Sequence, residues 1–257
     1  MNYLAQSKEK GLEKMIRYKS GAELKDLAKG KLSGRYGSAI LVVVVLESIQ
    51  FLVSTFLSTL IPGTDFVSYL ISILLSGIVA IFLGIYQTGL CLFFLNMACG
   101  QPYRADDIFY GMRNNPSRSL TVSLAVTGVN LLCLTPYQIF AMLFLNTENT
   151  TYMMLMFVTA AIGLLIYVPV SLMLSQSYFL LLDFPEYSGM DALKASCRIM
   201  KGHMGRLFYI EASFLPLIFL GVLTCGVGML WITPYMHMTY TLFFLDIMNP
   251  QKVNEGI

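Results

Sequence analysis

Six apolar stretches decide what this chain can become: residues 38–61, 68–97, 119–145, 152–182, 207–224 and 229–247. Each comes close to the roughly 20 residues that a helix needs to cross a hydrocarbon core about 30 Å thick. The second and fourth exceed a perpendicular crossing, so tilt or projection beyond the membrane is expected of them. Inside a bilayer the backbone has no water to bond to, and a helix satisfies its own polar groups. The predicted fold class is therefore an all-α membrane protein with six transmembrane helices. Composition agrees, with 56% hydrophobic and only 12% charged residues, about half the ~25% charge of a soluble domain.

The distribution of charge orients the spans. Residues 1–37 hold nine of the 17 Lys and Arg. The linkers after the second and fourth spans carry Arg104, Arg113 and Arg118, then Lys194, Arg198, Lys201 and Arg206, and the tail carries Lys252. The linkers at 62–67, 146–151 and 225–228 have none. Cytoplasmic loops carry the basic excess, so both termini are expected in the cytoplasm, and the localisation is the cell (cytoplasmic) membrane, multi-pass. Residues 1–37 lack the apolar core and cleavage site of a signal peptide, so the first span is expected to stay in the membrane. The basic residues face a membrane surface, and no nucleic-acid partner is expected.

An internal repeat organises the chain. Ser20-Gly21-Ala22-Glu23 leads to Gly34-Arg35-Tyr36-Gly37 with the spacing by which Ser188-Gly189-Met190-Asp191 leads to Gly202-His203-Met204-Gly205. Each segment opens on Ser three residues before an acid, the capping-box arrangement. Each continues with helical apolar periodicity (Leu24, Leu27, Ala28, Leu32; Ala192, Ala195, Ser196, Ile199) and closes on a Gly suited to the left-handed turn that ends a helix. The return spans match as well: Leu92-Phe93-Phe94-Leu95-Asn96, Phe179-Leu180-Leu181-Leu182-Asp183 and Leu242-Phe243-Phe244-Leu245-Asp246. That alignment sets Asn115 opposite Gly34 and Gly202, and Asn is the next-best residue for such a turn. The organisation is a polar basic segment (1–19) and three helix-plus-hairpin units (20–97, 98–183 and 184–257, the last with a short tail). Each unit holds a cytoplasmic amphipathic helix, the middle one (104–113) being the poorest amphipath. Such helices lie in the headgroup plane, where Lys25, Lys29, Lys31, Lys194 and Arg198 would meet anionic lipid headgroups. Packing against the bundle is the other reading of the same helices.

The run Tyr178–Asp183 into Gly189-Met190-Asp191-Ala192-Leu193-Lys194, then Met200-Lys201-Gly202-His203, Gly226-Val227-Gly228-Met229-Leu230-Trp231 and Thr233-Pro234-Tyr235-Met236, resembles the bacterial integral membrane family catalogued as domain of unknown function 975. The resemblance implies a topology and brings no activity, cofactor or site residue.

Intramembrane ionisable residues are functional candidates by default. Glu47 in the first span and Glu211 in the fifth qualify, with Gln87 and Gln176 as amide partners in a polar intramembrane site. Gln50, Gln138 and Asn130 are further intraspan amides, whose usual work is interhelical hydrogen bonding. Glu211 also lies close enough to Arg206 to reach the interface. His237 reads as a packed histidine. Pro136, Pro169, Pro216 and Pro234 should kink their helices. The five cysteines lack CxxC or metal-site spacing and read as small packing residues; no metal or cofactor is expected. No nucleophile elbow, phosphate loop or zinc motif is present, so an enzyme is not expected. Two roles remain: a small transporter- or channel-like protein, and a non-catalytic accessory, regulatory or protective (immunity-like) partner of another membrane component, with homo-oligomerisation open.

Single cysteines at Thr64 and Thr147, in a background without native cysteines, should react with an impermeant thiol reagent in whole cells, whereas one at Asn114 should not. Labelling at Asn114 alone would reverse the orientation.

Overall fold

A chain that closes its hydrogen bonds within each apolar stretch becomes a bundle, and the computed structural model, which describes residues 16–61, 65–249 and 251–252, is one. In chain order it has β1 (Ile16–Arg17), α1 (Gly21–Leu32), α2 (Tyr36–Leu60), α3 (Phe66–Cys99) and a 3-10 turn (Ala105–Phe109) running into α4 (Tyr110–Arg113). Then follow α5 (Pro116–Thr147), α6 (Thr150–Leu174), α7 (Ser177–Asp183), α8 (Gly189–Met200), α9 (Met204–Ala212), α10 (Leu215–Leu223), α11 (Met229–Met248) and β2 (Gln251–Lys252). The two short strands pair antiparallel, Ile16 opposite Lys252, and bring the two ends of the described residues together. No other strand occurs among the described residues.

Five helices are long and apolar enough to cross a bilayer: Tyr36–Leu60, Phe66–Cys99, Pro116–Thr147, Thr150–Asp183 and Met204–Leu223. The fourth is α6 and α7, interrupted at Ser175–Gln176, and the fifth is α9 and α10, broken before Pro216. The remaining expected span, α11, is a continuous 20-residue helix that does not reach this standard. The reason lies in its environment. Pro234, Tyr235, Met238, Thr239, Thr241, Leu242, Phe243, Phe244 and Asp246 are all buried against protein, so α11 need not be as apolar as a helix that faces lipid.

The helix boundaries follow local chemistry. The Ser20 hydroxyl accepts from the Glu23 N–H at 3.3 Å while the Ser20 N–H donates to the Glu23 carboxylate at 2.6 Å. Ser188 and Asp191 repeat the arrangement at 3.2 and 3.3 Å, and Asp191 proves as good a partner as Glu23. The turns that end these helices take left-handed backbone, with φ of 73° at Gly34 and 95° at Gly202. Asn115 adopts the same region, at φ 50°. The expected apolar stripes are buried as well, at Leu24, Ala28 and Leu32 on α1 and Ala192 and Ser196 on α8, although Leu27 is exposed.

Those short helices pack on the bundle in a closed order. α1 lies along α11, the 3-10 turn and α4 lie along α3, and α8 lies along α7. The return helices α3, α7 and α11 converge, with Phe94 stacked on His237 at 5.4 Å and Phe179 stacked on Phe244 at 5.0 Å. Phe93, Phe94, Leu180, Leu181, Phe243 and Phe244 are buried there. The recurrent sequence at the ends of the return spans is thus the core of the molecule.

Away from this core, small residues hold the helices. A Cβ on Gly84 would fall 1.9 Å from the Ser123 hydroxyl, one on Gly163 2.3 Å from the Cys133 carbonyl, and one on Gly89 2.2 Å from the Ile108 carbonyl. Lipid tails are as apolar as the helices, so close van der Waals contact must replace a hydrophobic driving force there. The Thr88 hydroxyl also donates to Ser119 at 2.8 Å across α3 and α5.

Gly89→Ala should lower thermal stability in detergent, by about 1–3 kcal/mol for overpacking against backbone that cannot rotate away. Gly30→Ala, where nothing lies within 4 Å, should be neutral or gain up to about 1 kcal/mol from helix propensity. Equal melting temperatures for the two variants would show that the α3 contact is not tight.

Candidate functional site

Four membrane helices leave a polar space between them. α2 contributes Gln50, α3 Gly84 and Gln87, α5 Ser123 and Thr127, and α6 Tyr167 and Ser171, with Ser175 and Tyr178 at the α6–α7 interruption. The cavity is about 390 Å³. Its polar groups are amides and hydroxyls, and no charged side chain among the described residues lines it. Local structure accounts for several positions. The absence of a side chain at Gly84 admits Ser123, whose hydroxyl donates to the Ile81 carbonyl at 2.8 Å. The Ser171 hydroxyl donates to Val168 at 2.9 Å and that of Ser175 to Leu172 at 2.8 Å. Gln50 and Gln87 offer both donors and acceptors. Such a set can bind a molecule carrying hydroxyl, amide or ether groups, and has no counter-charge for an ion.

The four residues expected to form one polar site do not come together. Gln87 lines the cavity. Gln176 is buried beside it without lining it: its amide NH₂ donates at 2.8 Å to the hydroxyl of Ser175, which does line the cavity, and its side-chain oxygen has no partner among the described residues. Its backbone N–H donates to Ser196 on α8 at 3.2 Å, tying the interruption to the amphipathic helix. Glu47 is exposed on α2 and lines a separate groove with the start of α11. Glu211 is half-buried on α9, near Tyr240.

The cations also divide. Lys29, Lys31, Lys194 and Arg198 are exposed. Lys25 departs from the headgroup expectation. It donates to the Ser213 carbonyl at 3.0 Å and sits 4.0 Å over the Phe214 ring. Ser213 closes α9 at the break before Pro216, so Lys25 satisfies a carbonyl at a helix end. Burial, and secondarily Lys29, lowers its pKa from the ordinary lysine value. Asp191 is held below the usual carboxylate range by its hydrogen bonds from Ser188.

Sequence reading missed the best-formed electrostatic cluster. Asp246, 4% exposed at the end of α11, forms an ion pair with Arg206. It also accepts from the Lys19 N–H at 3.2 and 3.3 Å, and the Lys19 ammonium lies 3.6 Å away. Arg206 donates to the Lys19 carbonyl at 3.1 Å through Nε and packs over Phe243 at 5.0 Å and Tyr18 at 5.3 Å. Tyr18 meets His203 edge-on at 4.7 Å. Burial, then Arg206, pushes the His203 pKa down against the pull of Asp246. Two other arginines hold comparable places. Arg118 at the start of α5 donates to the carbonyls of Leu181, Phe184 and Tyr187 at 3.1, 2.9 and 2.6 Å, and Arg35 before α2 reaches the Met97 carbonyl at 3.5 Å. A cation at a helix C-terminus meets its orphan carbonyls and its dipole. The available signal was Asp246 as one of two acids, with Asp183, that close the recurrent endings of these spans.

His237 is packed on Phe94, as expected, and among the described residues no group of three His, Cys, Asp or Glu is placed to hold a metal. The family model described as protein of unknown function (DUF975) matches residues 15–251. No curated protein and no solved structure matches the chain.

Asp246→Asn should leave the half-buried Arg206 beside a neutral amide and destabilise the protein, by up to about 3–5 kcal/mol. The paired change Arg206→Met with Asp246→Leu should cost clearly less than either charge removal alone. Additive losses in a denaturation series would show that the two residues are not coupled.

Proposed function

We propose that this chain, which belongs to the DUF975 family of proteins of unknown function, is a non-enzymatic, six-span membrane protein that passes or binds a small uncharged polar solute. The observation that carries this reading is the 390 Å³ cavity, lined by amides and hydroxyls from four membrane helices and by no charged side chain among the described residues. Polar side chains inside a membrane bundle are costly unless they serve one another or a ligand. Here Gln50 and Gln87 face a common space instead of bonding to each other. The reading shifts the polar path from Glu47, where the sequence had put it, to Gln87.

Three helix-plus-hairpin units around a pseudo-threefold axis are part of the proposal. Supporting it are the left-handed residues Gly34, Asn115 and Gly202, one before each outward helix. Arg35, Arg118 and Arg206 each meet the foot of their own unit's return helix. The amphipathic helices also engage in a cycle: the first unit's on the third unit's return helix, the second's on the first's and the third's on the second's. Head-to-tail contacts that close in this way generate rings. With the basic residues in the cytoplasm, α11 would be the sixth crossing and the cavity would lie between units one and two.

A second reading, a regulatory or protective partner of another membrane component, draws on the groove between α2 and α11. It is about 860 Å³ and mostly apolar.

The purified protein in proteoliposomes should raise permeability to glycerol or urea without conducting sodium or chloride. Gln87→Leu and Ser171→Trp should each cut that permeability by about tenfold, the scale of one lost polar contact of ~1.4 kcal/mol or a blocked path, and Glu47→Gln should leave it unchanged. Solute fluxes equal to those of empty vesicles would end the transport reading.

A further inference from the structure

The groove between α2 and the start of α11 holds a carboxylate that nothing among the described residues answers. Glu47 is exposed and makes no hydrogen bond or ion pair with any described residue. It stands 11 residues into the 25-residue helix Tyr36–Leu60, roughly 16 Å from its start at 1.5 Å per residue, which is the middle of the span. Acids at that depth almost always pair with a cation, a polar group or water. The chain has no Lys or Arg between Arg35 and Arg104, between Arg118 and Lys194, or between Arg206 and Lys252. Its cations therefore stand at the ends of the spans, and a second copy would bring none to this depth either.

The walls of the groove have the form of a helix-packing surface. On α2, Val44, Ser48 and Leu52 recur every fourth residue beside Val43, Glu47 and Phe51, the ridge that helices use to interdigitate. Gly226 and Ser48 keep the floor low, as small residues do where membrane helices approach closely. An acyl chain could fill the apolar parts and would leave the carboxylate unanswered. Charge complementarity selects a different occupant.

We infer that this groove docks a transmembrane helix of a partner protein carrying one lysine or arginine at mid-membrane, which pairs with Glu47. The inference rests on the second reading above, that of a membrane accessory, and names its partner's chemistry. Glu47 sets specificity by charge, and the apolar ridge supplies the contact area.

The test uses the full-length protein in vesicles, labelled at Cys225 as its sole cysteine. Designed leucine–alanine transmembrane peptides, about 20 residues long, carry a central lysine, leucine or glutamate and an acceptor dye. The lysine peptide should give saturable energy transfer about tenfold tighter than the leucine peptide, the scale of a strong intramembrane polar contact. Glu47→Gln should erase that preference, and Glu47→Lys should transfer it to the glutamate peptide, which also shows that the variants fold. Equal binding of lysine and leucine peptides, both displaced by Ser48→Trp, would overturn the charge pairing and leave the accessory reading standing. No binding of any peptide would remove both. Transfer between two copies of the protein that vanishes in Glu47→Gln would assign the groove to self-association and overturn the inference.

Discussion

Lipid gives apolar helices no reason to associate, and the rest of the structure depends on where the chain finds a driving force instead. Most of the largest fully buried side chains, among them Phe93, Phe94, Phe243, Phe244, Leu24, Leu32, Met97, Leu180 and Met200, lie on the return-helix ends and on the amphipathic helices that wrap them, and Leu207, Ile210 and Phe214 lie on or just after α9. These elements carry or adjoin most of the basic residues, at the end of the bundle where water is excluded by folding and the hydrophobic effect operates. The most apolar windows of the four longest spans are only 6–11% buried within the protein. The molecule is thus held at one end as a soluble protein is held, while few residues of its long apolar helices are fully buried.

Electrostatics reinforces the same end. Asp246, Arg206 and Lys19 join the last helix, the foot of the fifth span and the segment before α1, three parts distant in sequence. A buried ion pair is weak evidence for net stability, since desolvation offsets most of its attraction. Its geometric demand is stricter. Arg206 can meet Asp246 and the Lys19 carbonyl together only in one arrangement of those elements. Register is therefore what this pair provides, with the tight aromatic packing around it supplying the free energy. Arg118 and Arg35 use backbone carbonyls for the same end, so a single charged residue suffices there.

Much of this was legible in the sequence, because it is local. Apolar run lengths mark the helices, Ser20 with Glu23 and Ser188 with Asp191 mark two starts, and Gly34, Asn115 and Gly202 mark the left-handed turns. What escaped was long-range. Asp246 and Arg206 are 40 residues apart, and nothing local distinguishes them from solvated charges. The polar cavity draws on four helices, and the spacing of Gln50, Gln87, Ser123 and Tyr167 along the chain is not periodic. Glu47 and Gln87 were read as one site because depth along a helix can be counted from sequence, whereas the direction of a side chain around its axis depends on which neighbours the helix chooses. The lower hydropathy of α11 has a related cause. Hydropathy counts residues without knowing which face protein and which face lipid, and this helix faces protein through most of its last three turns.

The separation of the two polar features has a physical consequence. A carboxylate lining a small cavity imposes a field that favours cations and disfavours neutral solutes, since neutral groups cannot repay its desolvation. Glu47 lines the groove and Gln50, one turn later on α2, lines the cavity, so the carboxylate itself stays off the cavity wall. One helix can then serve two surfaces of different chemistry. Because α2 touches both α3 and α11, occupancy of the groove and the shape of the cavity share a structural element. Any coupling between them would have to act through the tilt or rotation of α2, in which no residue beyond Val43 is buried.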